Sequence, residues 1–566
     1  MRRMSKSNVL RYAENSYATA LLLAVVVFAI YMIFFTKNFN GDGMGYARVV
    51  EEAGSGKLWS VSARLLFCPT GRVVQEVVQF VGIETRGVYI LTVVNSAFGA
   101  LGSAIFFLMC FSITGKRIIS SLVAFGLAFS FAFWFWSANA TSYPGNVLFL
   151  IISLYIIERS MESVSVKRYL MMAVLVGFTH AFATFFWLTA IILVPSIALI
   201  QVVIGNDKNR GTRLAAVLAY GLTYGIVLFI PLVIAGVLAR DVSSISEFRL
   251  WLTEASHTVP PQLSLGNVMR GVIGIASSIF SMVELGPYVK SLAFGVPTVV
   301  ESKMVLILEL IAFVLFWMLL ASCVYFIWKN RTKMSKGDKQ YLTTLLLWSL
   351  PVVCFGMTWL GTDTERWLAM SPILWLLGIL LYRISTRDNK GSAVRRKNMI
   401  LAVVVLIVFS YNLGLTMYPN TRIDNNYFYK SACELNDHMG ENDKVFLWGH
   451  DHIQTGPNLS YFFGKNWIHL HLTGGKYWDT IEERINEEVR ETASKGGNLF
   501  VIGRVFLPKD MPESRYSDAT ERPSRRRLAE ILSRWKREEV FSIGIDTYWK
   551  LDIDPSESET GKPDEY

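Results

Sequence analysis

The stretch Tyr169–Ile204, YLMMAVLVGFTHAFATFFWLTAIILVPSIALIQVVI, runs for 36 residues without one Asp, Glu, Lys or Arg. As a single straight helix it would reach roughly 54 Å, well beyond the ~30 Å hydrocarbon layer of a bilayer. Two crossings joined by a turn near Thr184–Phe186 fit the length. Other apolar runs of spanning character lie on both sides: Ser16–Phe35, Gly87–Phe111, Ile118–Ala138 and the shorter Gly145–Ile157 before it. Leu214–Leu238, Met304–Trp328, Tyr341–Leu360, Trp367–Ile384 and Met399–Tyr418 follow it, which makes about 11 transmembrane helices when Tyr169–Ile204 counts twice.

Charge tests that count. Lys and Arg gather at Arg2/Arg3/Lys6/Arg11, Lys116/Arg117, Arg159/Lys167/Arg168, Lys208/Arg210/Arg213, Lys329–Lys339 and Arg383–Lys397. Eleven crossings place every cluster on one side, and the positive-inside rule makes that side the cytoplasm. The short turns on the opposite side, Asn139–Pro144 and Thr184–Phe186, carry no Lys or Arg. The net charge of +10 thus resides at loop ends and implies no nucleic-acid partner. Composition agrees: 52% of the 566 residues are hydrophobic and 18% charged, with a mean hydropathy of +0.37. Aromatics at 13% exclude a disordered chain, and five cysteines exclude a disulfide scaffold. The first span has a basic flank and no small-residue cleavage site before Lys37-Asn38-Phe39-Asn40, so it reads as an uncleaved signal anchor. The expected protein is a multi-pass one of the cell (cytoplasmic, inner) membrane, with its N-terminus in the cytoplasm.

Residues 1–418 form the expected membrane domain, with extracytoplasmic loops at 36–86 and 240–303. In the first loop Val73, Val74, Val77, Val78 and Val81 repeat at helical spacing opposite Arg72, Gln75, Glu76 and Gln79. That pattern marks a helix lying along the membrane surface or packed on the bundle top. The second loop holds Trp251 and Pro260-Pro261. From residue 419 the pattern changes. Strands are expected at Lys444–Trp448, Trp467–Leu472, Asn498–Gly503, Glu539–Ile543 and Tyr548–Ile553, and helices at Asp479–Ser494 and Ser524–Lys536. Residues 419–553 therefore read as an extracytoplasmic α/β domain, and the polar residues 554–566 as a disordered tail.

Four features carry chemistry. Asn40-Gly41-Asp42-Gly43-Met44-Gly45-Tyr46 sets one carboxylate between glycines just after the first span, in a backbone free to bend. Gly361-Thr362-Asp363-Thr364-Glu365-Arg366-Trp367 packs two acids and an arginine into a short turn, followed by Ser371-Pro372; an arginine there can grip a phosphate at head-group depth. The alternative is a solvated Glu–Arg pair at a helix end. His180 lies near an outer turn, as a functional candidate or a packing histidine. The turn Asn139-Ala140-Thr141-Ser142-Tyr143-Pro144 faces the same side.

An acid after span one, an outer Tyr-Pro turn, a histidine in the fifth-span region and a late Glu-Arg-aromatic turn before Pro, all on one side, resemble the GT-C superfamily of integral-membrane glycosyltransferases. That superfamily includes the polyprenyl-phosphate-sugar-dependent transferases and the protein O-mannosyltransferases. The likeness covers Ser16–Ile384. It implies that Asp42 is the catalytic base and that Arg366 attends the lipid phosphate. Glu365, Asp363, His180, Tyr143, Arg64 and Arg72 complete the expected substrate-binding set, with contact to anionic lipid an equal alternative for Arg64 and Arg72. The paired acids common in that first loop are here a single Asp, with Glu51 and Glu52 nine residues on, so no metal is assigned and a divalent ion is not favoured. The implied partners are a polyprenyl-phosphate-sugar donor, membrane lipids, and a glycan, lipid or protein acceptor. Competing functions are a transporter or lipid-glycan flippase, a polysaccharide polymerase or ligase, and a non-enzymatic assembly protein. No internal repeat supports a transporter, and the acids lie outside the apolar runs except Glu309.

Weaker signals remain. Gly449-His450-Asp451-His452 and His469-Leu470-His471 suggest a metal on alternating strand positions, but no cysteine accompanies them and a strand-end turn suits the first equally. Cys68 and Cys433 fall on the same side and are within reach of a disulfide reading, although cysteines of separate domains are more often unpaired. Asn139-Ala140-Thr141 and Asn458-Leu459-Ser460 have the form of glycosylation sequons.

Overall fold

The computed structural model describes residues 6–52, 54, 57–59, 61–161, 165–205, 207–254, 263–286, 288–289, 302–359, 361, 363–386, 392–447, 454–470, 481–506, 525–543 and 546–553. Pro260-Pro261, Thr362, the segment Gly449–His452, His471 and the tail 554–566 lie outside these. Among the described residues the chain divides into two compact units, one built on residues 6–36, 46–289 and 302–421, the other on 37–45 and 422–553.

The first unit is a bundle of apolar helices. Among the described residues nine helices are long and apolar enough to cross a membrane. In chain order the unit contains α1 (Lys6–Ile33), α2 (Gly41–Glu52, shared with the second unit), α3 (Phe67–Phe80), α4 (Gly87–Thr114), α5 (Arg117–Phe129), α6 (Phe131–Ser137), α7 (Tyr143–Met161), α8 (Val166–Phe186), α9 (Val194–Ile204) and α10 (Arg210–Arg240). It continues with α11 (Ile245–Glu254), α12 (Leu265–Ser277), α13 (Lys303–Lys329), α14 (Lys336–Thr358), α15 (Ser371–Thr386) and α16 (Ser392–Asn412). The fifth expected span does turn: α8 ends at Phe186 and Leu188–Ile204 forms a separate, shorter apolar stretch. Ile118–Ala138 is not one straight rod but the pair α5 and α6, bent by 65°.

Both breaks satisfy the backbone groups they free, as they must in an apolar bundle. At the first, Ser130 is extended, Phe131 N–H donates to Ile279 O at 2.9 Å, and Asn412 Nδ2 donates to Phe129 O and Ile279 O at 2.9 and 2.8 Å. At the second, Trp187 is extended with φ −156 and ψ 111. Ala183 O there accepts from Asn146 Nδ2 at 2.9 Å, and Phe185 O accepts from Leu66 N–H at 3.2 Å. Glu309, the one acid read inside a span, is buried and accepts three backbone N–H groups, from Val283, Glu284 and Leu285, at 2.7–2.9 Å. It anchors the end of the second long loop.

α3 confirms a helix through the valine repeat, but its faces differ from the expected ones. Phe67, Cys68, Gly71 and Gln75 are buried, while Val73, Val77 and Phe80 are exposed. Gln75 thus belongs to the packed face, because burial here follows contact with α4 rather than polarity.

The second unit is a small α/β domain. Its five-stranded sheet has the order β2-β1-β3-β5-β4, with β1 (Lys444–Leu447), β2 (Asn466–His469), β3 (Leu499–Ile502), β4 (Arg537–Ile543) and β5 (Asp546–Leu551). β1 pairs in parallel with β2 and β3, whereas β5 runs antiparallel to β3 and β4. The helices are α17 (Tyr427–His438), α18 (Thr455–Phe463), α19 (Ile481–Ser494) and α20 (Arg525–Leu532). Ile481, Ile485 and Val489 of α19 point into the core, as their four-residue spacing predicts. All five cysteines are free thiols.

Candidate functional site: two arginines joined through an aromatic wall

Arg366 sits in a 3₁₀ turn, Thr364–Met370, that leads into α15. The turn starts by a backbone bond, Arg366 N–H to Asp363 O at 3.0 Å, and is short because Ser371-Pro372 opens a new helix. The guanidinium is only about a twentieth exposed on its side chain. Its Cζ lies 4.2 Å from the centre of the Trp359 ring, 5.5 Å from Trp187 and 5.7 Å from Phe355. Glu365 stands 3.8 Å away, beyond hydrogen-bonding distance, and Arg366 Nε is buried without any hydrogen-bond partner. A buried donor without a hydrogen-bond partner costs free energy, and here only Nε is in that position, because Glu365 still pairs electrostatically with the guanidinium at 3.8 Å.

Trp187 carries the wall onward. The extended backbone at the α8 break presents its ring edge-to-face against Tyr143, centroids 5.0 Å apart. Tyr143 packs in the same way on Trp136 at 4.9 Å, and Trp136 Nε1 donates to Thr364 Oγ1 at 3.1 Å, which returns to the Arg366 turn. Arg64 Nη2 donates to the Tyr143 hydroxyl at 3.2 Å, and its Cζ lies 4.9 Å over the Tyr46 ring. Two cations therefore share one aromatic wall, a setting in which cation–π attraction is strong because water is largely absent. Asp363 adds a titratable acid: burial and the neighbouring Glu365 push its carboxyl up to about 8, against the pull of Arg366 and Arg270.

Arg64, Tyr143, Asp363, Glu365 and Arg366 are thus brought together. Two other expected residues stand apart. His180 is fully buried, with Nε2 on Ala190 O and Nδ1 on the Tyr220 hydroxyl, both at 2.9 Å. Because a carbonyl only accepts, Nε2 carries the proton and Nδ1 accepts from Tyr220. His180 satisfies a carbonyl just past the Trp187 break. Arg72 donates through Nη1 to Val50 O and Glu51 O at 3.0 and 3.3 Å, and pairs with Glu76 at 2.8 Å. It caps the C-terminal end of α2.

Asp42 falls in the second unit. The glycine-rich stretch around it is not a bent loop: α2 begins at Gly41, with Asp42 in its first turn. Asn40 explains this, since its Oδ1 accepts Gly43 N–H at 2.7 Å and its carbonyl accepts Met44 N–H at 3.2 Å. A side-chain cap of that kind, with an acid in the first turn, starts a helix despite three glycines. The residues missed from sequence are Trp136, Trp187, Trp359 and Phe355. Each lies within or beside an apolar run, where an aromatic signals only packing. Among the described residues no cluster of three or more His, Cys, Asp or Glu is placed to hold a metal. The sequon asparagines Asn139 and Asn458 are buried, 1% and 0% exposed.

The fold is similar to that of ArnT, a protein solved both in an apo state and bound to undecaprenyl phosphate. ArnT from Cupriavidus metallidurans in its apo state superposes with a TM-score of 0.59 at 10% identity, over 96% of this chain and 99% of that one. ArnT from the same organism bound to undecaprenyl phosphate gives 0.54 at 10% identity, over 97% and 98%. No protein-family model matches the sequence. No curated protein matches it either.

Proposed function

We propose that this protein is an inverting membrane glycosyltransferase. It takes a sugar from a polyprenyl-phosphate-linked donor and passes it to a glycan, lipid or protein acceptor on the extracytoplasmic face of the cell membrane. Its N-terminus is cytoplasmic and its α/β domain extracytoplasmic. The observation that carries this proposal is the buried Arg366 with its open Nε inside an aromatic wall. It occurs in a fold shared with a protein that has been solved with undecaprenyl phosphate bound.

In the proposed reaction the acceptor hydroxyl oxygen attacks the anomeric carbon, and its proton passes to the Asp42 carboxylate. The bond from that carbon to the phosphate oxygen breaks, and its electron pair leaves with the phosphate. A phosphate is a competent leaving group, so what the site must supply is charge stabilisation; Arg366, with Arg64 beside Tyr143, supplies it in a water-poor setting. The hydroxyl is a weak nucleophile and needs a base within about 3 Å. One displacement inverts the anomeric centre.

The test compares a deletion strain, an Asp42→Asn strain and the parent by mass spectrometry of envelope glycans and glycolipids. Loss of the same sugar attachment in both strains is expected, with transfer by Asp42→Asn down about 10²–10⁴-fold, the usual share of a general base. The purified variant retains undecaprenyl phosphate as the parent does. Full transfer by Asp42→Asn removes Asp42 as the base; an unchanged envelope in the deletion strain removes the proposed activity.

A further inference from the structure

Arg366 is aimed without hydrogen bonds at Nε, so something else must set its direction. The next residue in the chain does. Trp367 is fully buried, and its Nε1 donates to Gly361 O at 2.7 Å. Four glycines close around its indole. A methyl at Gly356 would fall 2.6 Å from Trp367 Cη2 and 2.8 Å from Cε2, and one at Gly274 would fall 2.6 Å from Cδ1. Gly271 places its own missing methyl 3.4 Å from Trp367 Cζ2, and one at Gly361 would meet Gly271 N at 2.6 Å and Gly356 O at 2.7 Å. Two of these glycines lie on α12, one on the last turns of α14, and one between α14 and the 3₁₀ turn. The three segments approach one another only because none bears a side chain there.

We infer that Trp367, seated in this glycine cradle, is the positioning residue for the Arg366 guanidinium. In a 3₁₀ turn successive side chains diverge by about 120°. An indole that cannot rotate or withdraw therefore fixes the side on which Arg366 emerges, against Trp359 and Phe355. Those two belong to the same end of α14 as Gly356, so one piece of backbone both seats Trp367 and walls Arg366. It follows that α12, from the second long loop, is coupled to the cation through Gly271 and Gly274. The consequence for lipid binding rests on the proposed function; the positioning itself does not.

The experiment uses the full-length chain in nanodiscs and measures the rate at which phenylglyoxal, an arginine-selective reagent, modifies Arg366, read by peptide mass spectrometry. Gly356→Ala drives its methyl into the indole, and the resulting overpacking should raise the Arg366 rate about tenfold. In a Trp367→Phe background the ring atoms that the methyl meets are gone. There the same substitution should change the rate less than about twofold, a coupling that a generally damaged fold would not give. An unchanged rate in Gly356→Ala, or equal changes in both backgrounds, overturns the inference. If Gly356→Ala does not accumulate, Trp367→Phe alone decides: a raised rate supports the cradle and a parental rate overturns it. Undecaprenyl phosphate retention is measured on the same samples. Parental protein that fails to retain it defeats the proposed donor, while the phenylglyoxal rates still decide for or against the cradle.

Discussion

Replacing Arg366 by lysine keeps the positive charge and removes the plane. In the parent the guanidinium lies 4.2 Å over Trp359, with Trp187 and Phe355 at 5.5 and 5.7 Å, and 6% of the residue is exposed. Lysine offers a point charge on a flexible stem, with neither the flat stack nor the two-pronged donor set that matches a phosphate. A hydrogen bond to a charged group contributes about 1.5–3 kcal/mol. Loss of one such bond corresponds to an affinity for undecaprenyl phosphate about ten to 150-fold weaker. The assay is lipid retention by the purified chain in nanodiscs, quantified by native mass spectrometry across a salt series. Because the cation is buried, the deficit should persist at high ionic strength, where surface attraction fades. Arg366→Ala should lose more than Arg366→Lys. Lysine binding within about twofold of the parent would show that the stacked fork is mere packing, and alanine binding at the parental level would remove Arg366 from the phosphate site altogether.

Three other outcomes are expected. Burial and Glu365 raise the Asp363 carboxyl above the ordinary carboxylate range, and on losing its proton it gains a negative charge beside Arg366, so undecaprenyl phosphate affinity should fall as pH rises through that raised range. Asp363→Asn should flatten that slope, and an unaltered slope refutes the assignment. Arg72→Met uncaps the carbonyls of Val50 and Glu51 and should lower thermal stability by about 1–3 kcal/mol while lipid affinity stays at the parental level. A selective loss of affinity would return Arg72 to the substrate site. In the α/β domain, hydrogen bonds from Lys444 and Lys495 hold Glu491 down at about 2. Its stabilising share is present above the ordinary carboxylate range and is lost as pH falls towards 2. Lys444→Met should therefore make the domain's acid unfolding, followed by circular dichroism of the full chain, less steep.

Much of this architecture was legible in advance, for identifiable reasons. Hydropathy locates crossings because the bilayer demands them, and the length of Tyr169–Ile204 forced a turn that the structure puts at Trp187, next to the expected Thr184–Phe186. Strands and α19 followed from period alone. Helix α2 did not, since Gly41, Gly43 and Gly45 argue against a helix and only the Asn40 cap reverses them. Helices α17 and α18 escaped because neither repeats apolar residues cleanly. Of the site, charge marked Arg366 and its acids, but nothing local ties Arg64 to Tyr143, which lies 79 residues away. The tryptophans that join the two arginines were hidden among apolar neighbours. His180 and Arg72 looked available because a sequence shows a polar group and never the carbonyl it serves.

The burial of Asn139 and Asn458 bears on how this protein can be produced. With the orientation proposed above, a secretory pathway that attaches glycans to nascent chains meets both sequons before the turn at 139 and helix α18 have closed over them. A sugar tree on either asparagine has no room in the finished molecule, so each modified chain is diverted from folding. Yield in a eukaryotic host should consequently rise on replacing Thr141 by valine and Ser460 by alanine, and fall back when the sequons are restored. A host without that machinery needs neither change.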